Sequence, residues 1–127
     1  MAERLLIVDD NTRFLSAACS TLERQGLEIV GTATTTAEAL QRAETLRPDV
    51  VLVDISLGDE SGFELTRLLV DELRTPVVLI STRAEDDYAD LVATSPAVGF
   101  LSKSQLSASA LREVLSGDRP DNSGTAD

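Results

Sequence analysis

Leu5-Leu6-Ile7-Val8-Asp9-Asp10 is an apolar run that stops abruptly at an acidic pair, and the same construction recurs along the chain. Val50-Val51-Leu52-Val53 ends in Asp54, Val77-Val78-Leu79-Ile80 ends in Ser81, and Val98-Gly99-Phe100-Leu101-Ser102 ends in Lys103. Short, continuously apolar runs rich in Val and Ile are what strands covered on both faces look like. If the runs lie parallel in one sheet, their polar endings share its carboxyl edge, where open α/β sheets bind ligands. An acidic pair, a lone carboxylate, a hydroxyl and an amine gathered there suit a metal ion and a phosphoryl group.

Working outward, strand-like runs begin at Leu5, Leu27, Val50, Val77 and Val98, far enough apart for a helix and two short loops between each pair. The intervening segments have helical spacing. Phe14, Leu15, Ala18 and Leu22 share one face, as do Leu40, Ala43 and Leu46, and Leu65, Leu68, Leu69 and Leu73. A shorter helix is expected over residues 84–94 around Tyr88, Leu91 and Val92, ended by Pro96. The last is expected over residues 104–116, with Leu106, Leu111, Val114 and Leu115 inward and Gly117 as its stop. The run Leu27-Glu28-Ile29-Val30-Gly31 alternates more than the others and reads as an edge strand. Five βα units with that edge predict an α/β fold: a doubly wound, five-stranded parallel sheet of order 2-1-3-4-5, flavodoxin-like. Residues 1–117 then form one domain. Residues 118–127 carry almost nothing apolar and read as a disordered acidic tail.

Composition removes several function classes. With 127 residues, 43% of them apolar, the chain can build a core without disulfides or a structural metal, and its single Cys19 reads as a small core residue. There is no His, so Ser-His-Asp and Cys-His catalysis and the commonest zinc ligand are excluded together. A formal charge of -11 without a Lys/Arg cluster argues against direct nucleic-acid binding. Neither a signal peptide nor an apolar stretch near the ~20 residues of a membrane helix is present, so a cytoplasmic protein without membrane contact is expected.

Each polar ending has an ordinary structural use when taken alone. Asp9 and Asp10 precede a helix and could cap it, and Asp54 could open a turn with Gly58 and Gly62. Ser81-Thr82 could cap the next helix, and Lys103 could be a solvated lysine. Together they resist that explanation, because three neighbouring carboxylates repel one another and raise each other's pKa unless a cation is shared. A divalent metal supplies the missing charge.

These residues resemble the receiver domain of two-component response regulators, over essentially residues 3–117. The resemblance rests on the acidic pair in Leu6-Ile7-Val8-Asp9-Asp10-Asn11, on Val51-Leu52-Val53-Asp54-Ile55, on Gly62 eight residues later, on Ser81, and on Gly99-Phe100-Leu101-Ser102-Lys103. It implies that Asp54 accepts a phosphoryl group from a phosphohistidine on a sensor histidine kinase or phosphotransfer protein. It also implies Mg²⁺ bound by Asp10, Asp54 and the backbone carbonyl of Ser56, with Asp9 acting mainly through water. Lys103 would neutralise charge on the transferring group, and the Ser81 hydroxyl would bond the new phosphoryl oxygens. Phe100 would rotate inward in response, changing the face made by the fourth helix, fifth strand and fifth helix. That face would bind a downstream protein partner or effector, or a second copy of the chain as a homodimer. Such a domain is a phosphoacceptor that promotes its own phosphorylation and dephosphorylation, not an enzyme with a separate substrate.

Three positions depart from the family pattern. Gly58 stands where receivers carry proline, so the loop after Asp54 is expected to be looser. Ser104 follows the lysine in place of a cis proline, which predicts either a trans bond with Lys103 slightly displaced or a strained cis bond. Thr82 replaces a small residue, so Thr82 and Arg83 border the approach to Asp54 and narrow it.

Rival readings fit less well. A haloacid-dehalogenase-type phosphatase, which also forms an aspartyl phosphate, needs a second Asp where Ser56 stands. A flavodoxin needs a hydroxyl- and Gly-rich loop where Asp9-Asp10-Asn11-Thr12-Arg13 stands, and neither G-x-G-x-x-G nor a P-loop is present. For output, a stand-alone receiver is expected; the alternative is the N-terminal receiver of a DNA-binding transcriptional regulator whose effector domain is absent here.

Overall fold

The computed structural model describes residues 3–82 and 89–116. The apolar runs form strands β1 (Arg4–Val8), β3 (Val50–Asp54) and β6 (Val77–Ser81), with β2 (Glu28–Ala33) and β7 (Gly99–Ser102) at the two margins. All pairings in this sheet are parallel and its order is β2-β1-β3-β6-β7, the expected 2-1-3-4-5 arrangement of the five sheet strands. Every residue of β3 and β6 is buried, whereas β2 and β7 are largely half-buried, as margins are.

Strand alternation divides the core into two layers. Leu6, Val8, Val51, Val53, Val77 and Leu79 face α2 (Thr36–Leu46) and α3 (Gly62–Leu73), meeting Ala39, Ala43, Leu65 and Leu69. Leu5, Ile7, Val50, Leu52, Val78 and Ile80 face α1 (Thr12–Arg24) and α5 (Ala108–Leu115), meeting Leu15, Ala18, Leu22 and Leu111. Helix starts follow local chemistry, since the side chains of Asn11, Thr35 and Ser61 each accept a hydrogen bond from a first-turn N–H of α1, α2 and α3.

Several expectations need correction. The last helix begins at Ala108, not near Ser104; Lys103–Gln105 forms a separate 3-10 turn. Two acceptors fix that start: Ser107 Oγ takes the Ala110 N–H, and Gln25 Oε1, from the end of α1, takes the Ala108 N–H at 2.6 Å. Helix α4 is described over Ala89–Thr94, where Leu91 is 53% exposed and Val92 packs on the core. Tyr88 and the earlier part of that expected helix, Arg83, Gly117 and the tail 118–127 lie outside the described residues. Ala43, Leu65 and Leu69 are buried as expected, Ala39 and Thr66 are buried though not expected inward, and Leu40, Leu46, Leu68 and Leu73 are half-buried. The Lys103-Ser104 bond is trans.

The stretch after Asp54 is not an open loop. Ser56–Leu57 (β4) and Glu60–Ser61 (β5) pair as an antiparallel ribbon, with Gly58 at φ 62°, in the left-handed region that favours glycine. The ribbon returns the chain so closely that the Gly62 N–H donates to the Ile55 carbonyl at 2.8 Å. A Cβ at Gly62 would lie 2.0 Å from the Asp54 carbonyl oxygen and 2.9 Å from the Ile55 Cα. These are backbone atoms beneath the sheet edge and cannot turn aside. Gly62→Ala is therefore expected to destabilise the domain by about 1–3 kcal/mol or more, through overpacking, and urea unfolding of the two proteins measures it.

Candidate functional site

Parallel register is what gathers the polar endings. Asp9 continues the ladder beyond β1, its N–H donating to the Ala33 carbonyl at 3.0 Å, and the residue is fully buried. Asp54 closes β3 beside Ile80, one residue short of Ser81, and Ser81 in turn pairs with Ser102 at the end of β7. Lys103 follows directly. Its Nζ lies 2.5 Å from Asp9 Oδ2 and 3.2 Å from Asp54 Oδ2, with only 11% of its side chain exposed. Carboxylate oxygens of Asp9, Asp10 and Asp54 all lie within 4.8 Å of one another, Asp10 being the exposed member.

Backbone donors hold two of these carboxylates from the side away from the lysine's contacts. The Asn11 N–H donates to Asp9 Oδ1 at 2.8 Å, and the Ser56 N–H donates to Asp54 Oδ1 at 3.1 Å. Asp9 Oδ2 is ion-paired to Lys103, yet no donor is aligned on it for a hydrogen bond, so a buried anionic oxygen keeps unused acceptor capacity.

The electrostatics follow from burial. Loss of water pushes the Asp54 carboxyl up to about 6; the Ser56 N–H opposes this, the Asp9 charge adds to it, and Lys103 opposes it. Burial works against the Lys103 charge, but Asp9 and Asp54 outweigh it and its pKa is raised, so the ammonium persists at neutral pH. One ammonium facing three carboxylates leaves net negative charge on an all-oxygen donor set. That set suits a hard divalent cation such as Mg²⁺, which prefers carboxylate, carbonyl and water oxygens.

The remaining expected residues are distributed as follows. Ser56 opens the ribbon and is exposed, Ser81 is buried at the end of β6, and Thr82 beside it is exposed. Phe100 is half-buried on β7, packed against the core layer that faces α2 and α3. One neighbour was not anticipated at the site. The Phe14 ring, expected among the core residues of α1, is half-buried, and its centroid lies 4.3 Å from Lys103 Nζ. Its only sequence signal is the Asn11 cap three residues earlier, which places it in the first turn of α1.

The sequence matches the response regulator receiver domain over residues 5–116. It is 34% identical over 83 residues to a protein-glutamate methylesterase/protein-glutamine glutaminase of Archaeoglobus fulgidus, covering 65% of this chain and 24% of that protein. With the response regulator GacA of Pseudomonas viridiflava it shares 33% identity over 121 residues, covering 91% of this chain and 56% of that protein. The fold resembles a response regulator protein from Burkholderia pseudomallei, solved with a phosphorylated aspartic acid, a calcium ion and citrate. There the TM-score is 0.76 at 25% identity, covering 89% of this chain and 66% of that one. The chain belongs to the receiver domain family of two-component response regulators, and it spans 24% and 56% of the two curated relatives' lengths. Among the described residues no helix is long and apolar enough to cross a membrane.

Because Asp54 binds its proton more tightly when folded than in an unfolded chain, its contribution to stability is lost as pH rises from about 4 through about 6. In EDTA, Asp54→Asn is expected to gain on the parent over that interval by about 1–3 kcal/mol, followed by urea unfolding at stepped pH. Millimolar Mg²⁺ is expected to raise the parent's melting temperature at pH 7 more than that of the variant.

Proposed function

We propose that this domain is a phosphorylation-dependent signalling switch in which Asp54 receives a phosphoryl group from a phosphohistidine on a sensor histidine kinase or phosphotransfer protein. The observation that carries this reading is the Lys103 ammonium bridging two buried carboxylates, Asp9 and Asp54, beside the exposed Asp10. In the transfer an Asp54 carboxylate oxygen bonds to phosphorus as the phosphorus-nitrogen bond breaks. The departing imidazole takes the electron pair and then a proton from water. Asp54 is mostly ionised at neutral pH and needs no general base. Lys103 stands where negative charge grows on the transferring oxygens, so catalysis is positioning and charge compensation. Mg²⁺ held by Asp10, Asp54, the Ser56 carbonyl and, through water, Asp9 would supply further positive charge to those oxygens.

After transfer, the Ser81 hydroxyl donates to a phosphoryl oxygen and draws the end of β6 toward Asp54. Phe100, on the neighbouring strand, rotates inward, and the α4-β7-α5 face changes shape. The exposed apolar side chains Leu91 and Val98 lie on α4 and just before β7, which supports partner binding there, whether by an effector or by a second copy. The proposed setting is the cytoplasm, where such a kinase presents its phosphohistidine, with no direct contact to nucleic acid or membrane. The domain boundary is proposed at residue 117. One observation favours a second output: the alignment with GacA covers 91% of this chain and 56% of that protein. That suits a receiver within a longer regulator, and the reading frame beyond Asp127 separates it from the stand-alone receiver.

Incubation with acetyl phosphate and Mg²⁺, followed by intact and peptide mass spectrometry, is expected to place one phosphoryl group on Asp54. Asp54→Ala should abolish the adduct, and Lys103→Ala should slow its formation by roughly 10²-fold or more while leaving the Mg²⁺ effect on melting. An adduct elsewhere, or undiminished labelling of Asp54→Ala, would refute the proposal.

Thr82 is exposed beside Ser81, and its bulk is proposed to narrow the approach to Asp54. Thr82→Ala is expected to raise both the rate of labelling by acetyl phosphate and the rate of phosphoryl loss by severalfold, roughly the effect of about 1 kcal/mol on each barrier. Single-turnover decay of the labelled protein measures the second rate.

A further inference from the structure

A closed ring of contacts links four residues at the sheet edge. The Asn11 N–H donates to Asp9 Oδ1 at 2.8 Å, and the Asn11 side chain accepts the Phe14 N–H at 3.1 Å. The Phe14 ring lies 4.3 Å from Lys103 Nζ, and that ammonium returns to Asp9 Oδ2 at 2.5 Å. The same residue that caps α1 therefore braces Asp9 and sets the backbone position of the aromatic ring beneath the lysine. Contacts within the turn after β7 are of another kind. Ser102 Oγ bonds Gln105 Oε1 and meets Ser104 Oγ at 3.1 Å each, which shapes the turn without touching the ammonium.

Lys103 has a flexible four-carbon stem and follows a strand margin that is only half-buried. Two carboxylates attract its charge, but Asp9 does so at the shorter distance and Asp54 at the longer. Left to those two pulls, the ammonium could settle on Asp9 and withdraw from the oxygen that receives phosphorus. An aromatic face attracts a cation over a broad area, without a fixed hydrogen-bond direction. Here the ring belongs to α1 and is held by the Asn11 cap, so it restricts the ammonium from a third element while leaving its N–H donors for oxygens.

We infer that Phe14 is a positioning residue for the phosphoryl-accepting centre: its ring holds the Lys103 ammonium between Asp9 and Asp54 by a cation-π contact. The inference rests on the proposed function, since it assigns how the lysine is kept in place for that transfer. Phe14 touches neither phosphorus nor the acceptor oxygen in this role. Its effect is on the fraction of time that Lys103 faces Asp54, and so on the rate of labelling, not on Asp10 or the metal-binding oxygens.

The test compares the parent with Phe14→Leu, which keeps an apolar side chain without a ring, and Phe14→Tyr, which keeps the ring. Two measurements are made. In carbon-proton NMR of the folded domain, the Lys103 ε-methylene, assigned by its loss in Lys103→Arg, should lie upfield in the parent and Phe14→Tyr and return to the ordinary lysine position in Phe14→Leu. With acetyl phosphate and Mg²⁺, Phe14→Leu should label Asp54 about 3- to 10-fold more slowly, the scale of a cation-π contact, and Phe14→Tyr should label like the parent. Melting curves with and without Mg²⁺ establish that both variants fold and respond to the ion. Equal labelling rates in Phe14→Leu and the parent, equal slowing in both variants, or an unshifted Lys103 ε-methylene in the parent would overturn the role of Phe14. Absence of any Asp54 adduct in the parent would instead overturn the proposed phosphoacceptor function, whatever the NMR result.

Discussion

A lysine ammonium lodged between two buried carboxylates is the interaction around which this molecule is arranged. Asp9 is fully buried and Asp54 nearly so, and each would be costly to ionise in that setting without a compensating charge. Lys103 offsets part of that cost, though not all of it, because Asp10 adds a third carboxylate within 4.8 Å. The residual charge is what makes the edge receptive to a divalent cation and to chemistry in which negative charge moves. Stability and function pull in opposite directions here, and the raised pKa of Asp54 is a direct expression of that conflict.

Such an arrangement needs a rigid frame, and parallel pairing supplies it. The ladders on either side of β1 and β3 fix Asp9 and Asp54 by backbone hydrogen bonds, one to Ala33 and one through Ile55 to Ile80. The β4-β5 ribbon adds a connection to the next layer of structure. Its start binds Asp54 through the Ser56 N–H, its end turns into α3 at Gly62, and Glu60 Oε1 accepts the Thr36 N–H at the first turn of α2 at 2.7 Å. The ribbon thus ties the Asp54 carboxylate to the starts of α2 and α3 by hydrogen bonds and chain continuity.

The central strands were legible because both faces of β1, β3 and β6 are covered, which makes their inner positions continuously apolar and writes the strand into the sequence. The margin at β2 was equally legible from its alternation. The last helix was legible by its inward face, but its start was not, because Ser107 caps it locally and Gln25, 83 residues earlier in the chain, takes its first N–H. A local pattern cannot report the part of that start which is supplied from so far away. Leu91 shows the limit of periodicity: helical spacing places it with Val92, yet 53% of it is exposed. The ribbon after Asp54 was not legible, because it depends on the cross-strand pairing of Ser56 with Ser61.

The candidate site divides along the same line. Asp9, Asp10, Asp54, Ser81 and Lys103 could be named from the sequence, since each ends an apolar run and the order of the sheet brings run endings to one edge. Phe14 could not, because an aromatic in the first turn of an amphipathic helix looks like core packing wherever its ring points. By itself, then, the sequence determined the sheet, its order and the residue types along its carboxyl edge, as burial dictates hydrophobic pattern directly. Tertiary structure alone decided which charges touch, how far Asp54 is shifted from an ordinary carboxyl, and what holds the lysine. Those depend on distances across strands and helices, because Coulomb and cation-π energies for given residue types are set by separation and surroundings.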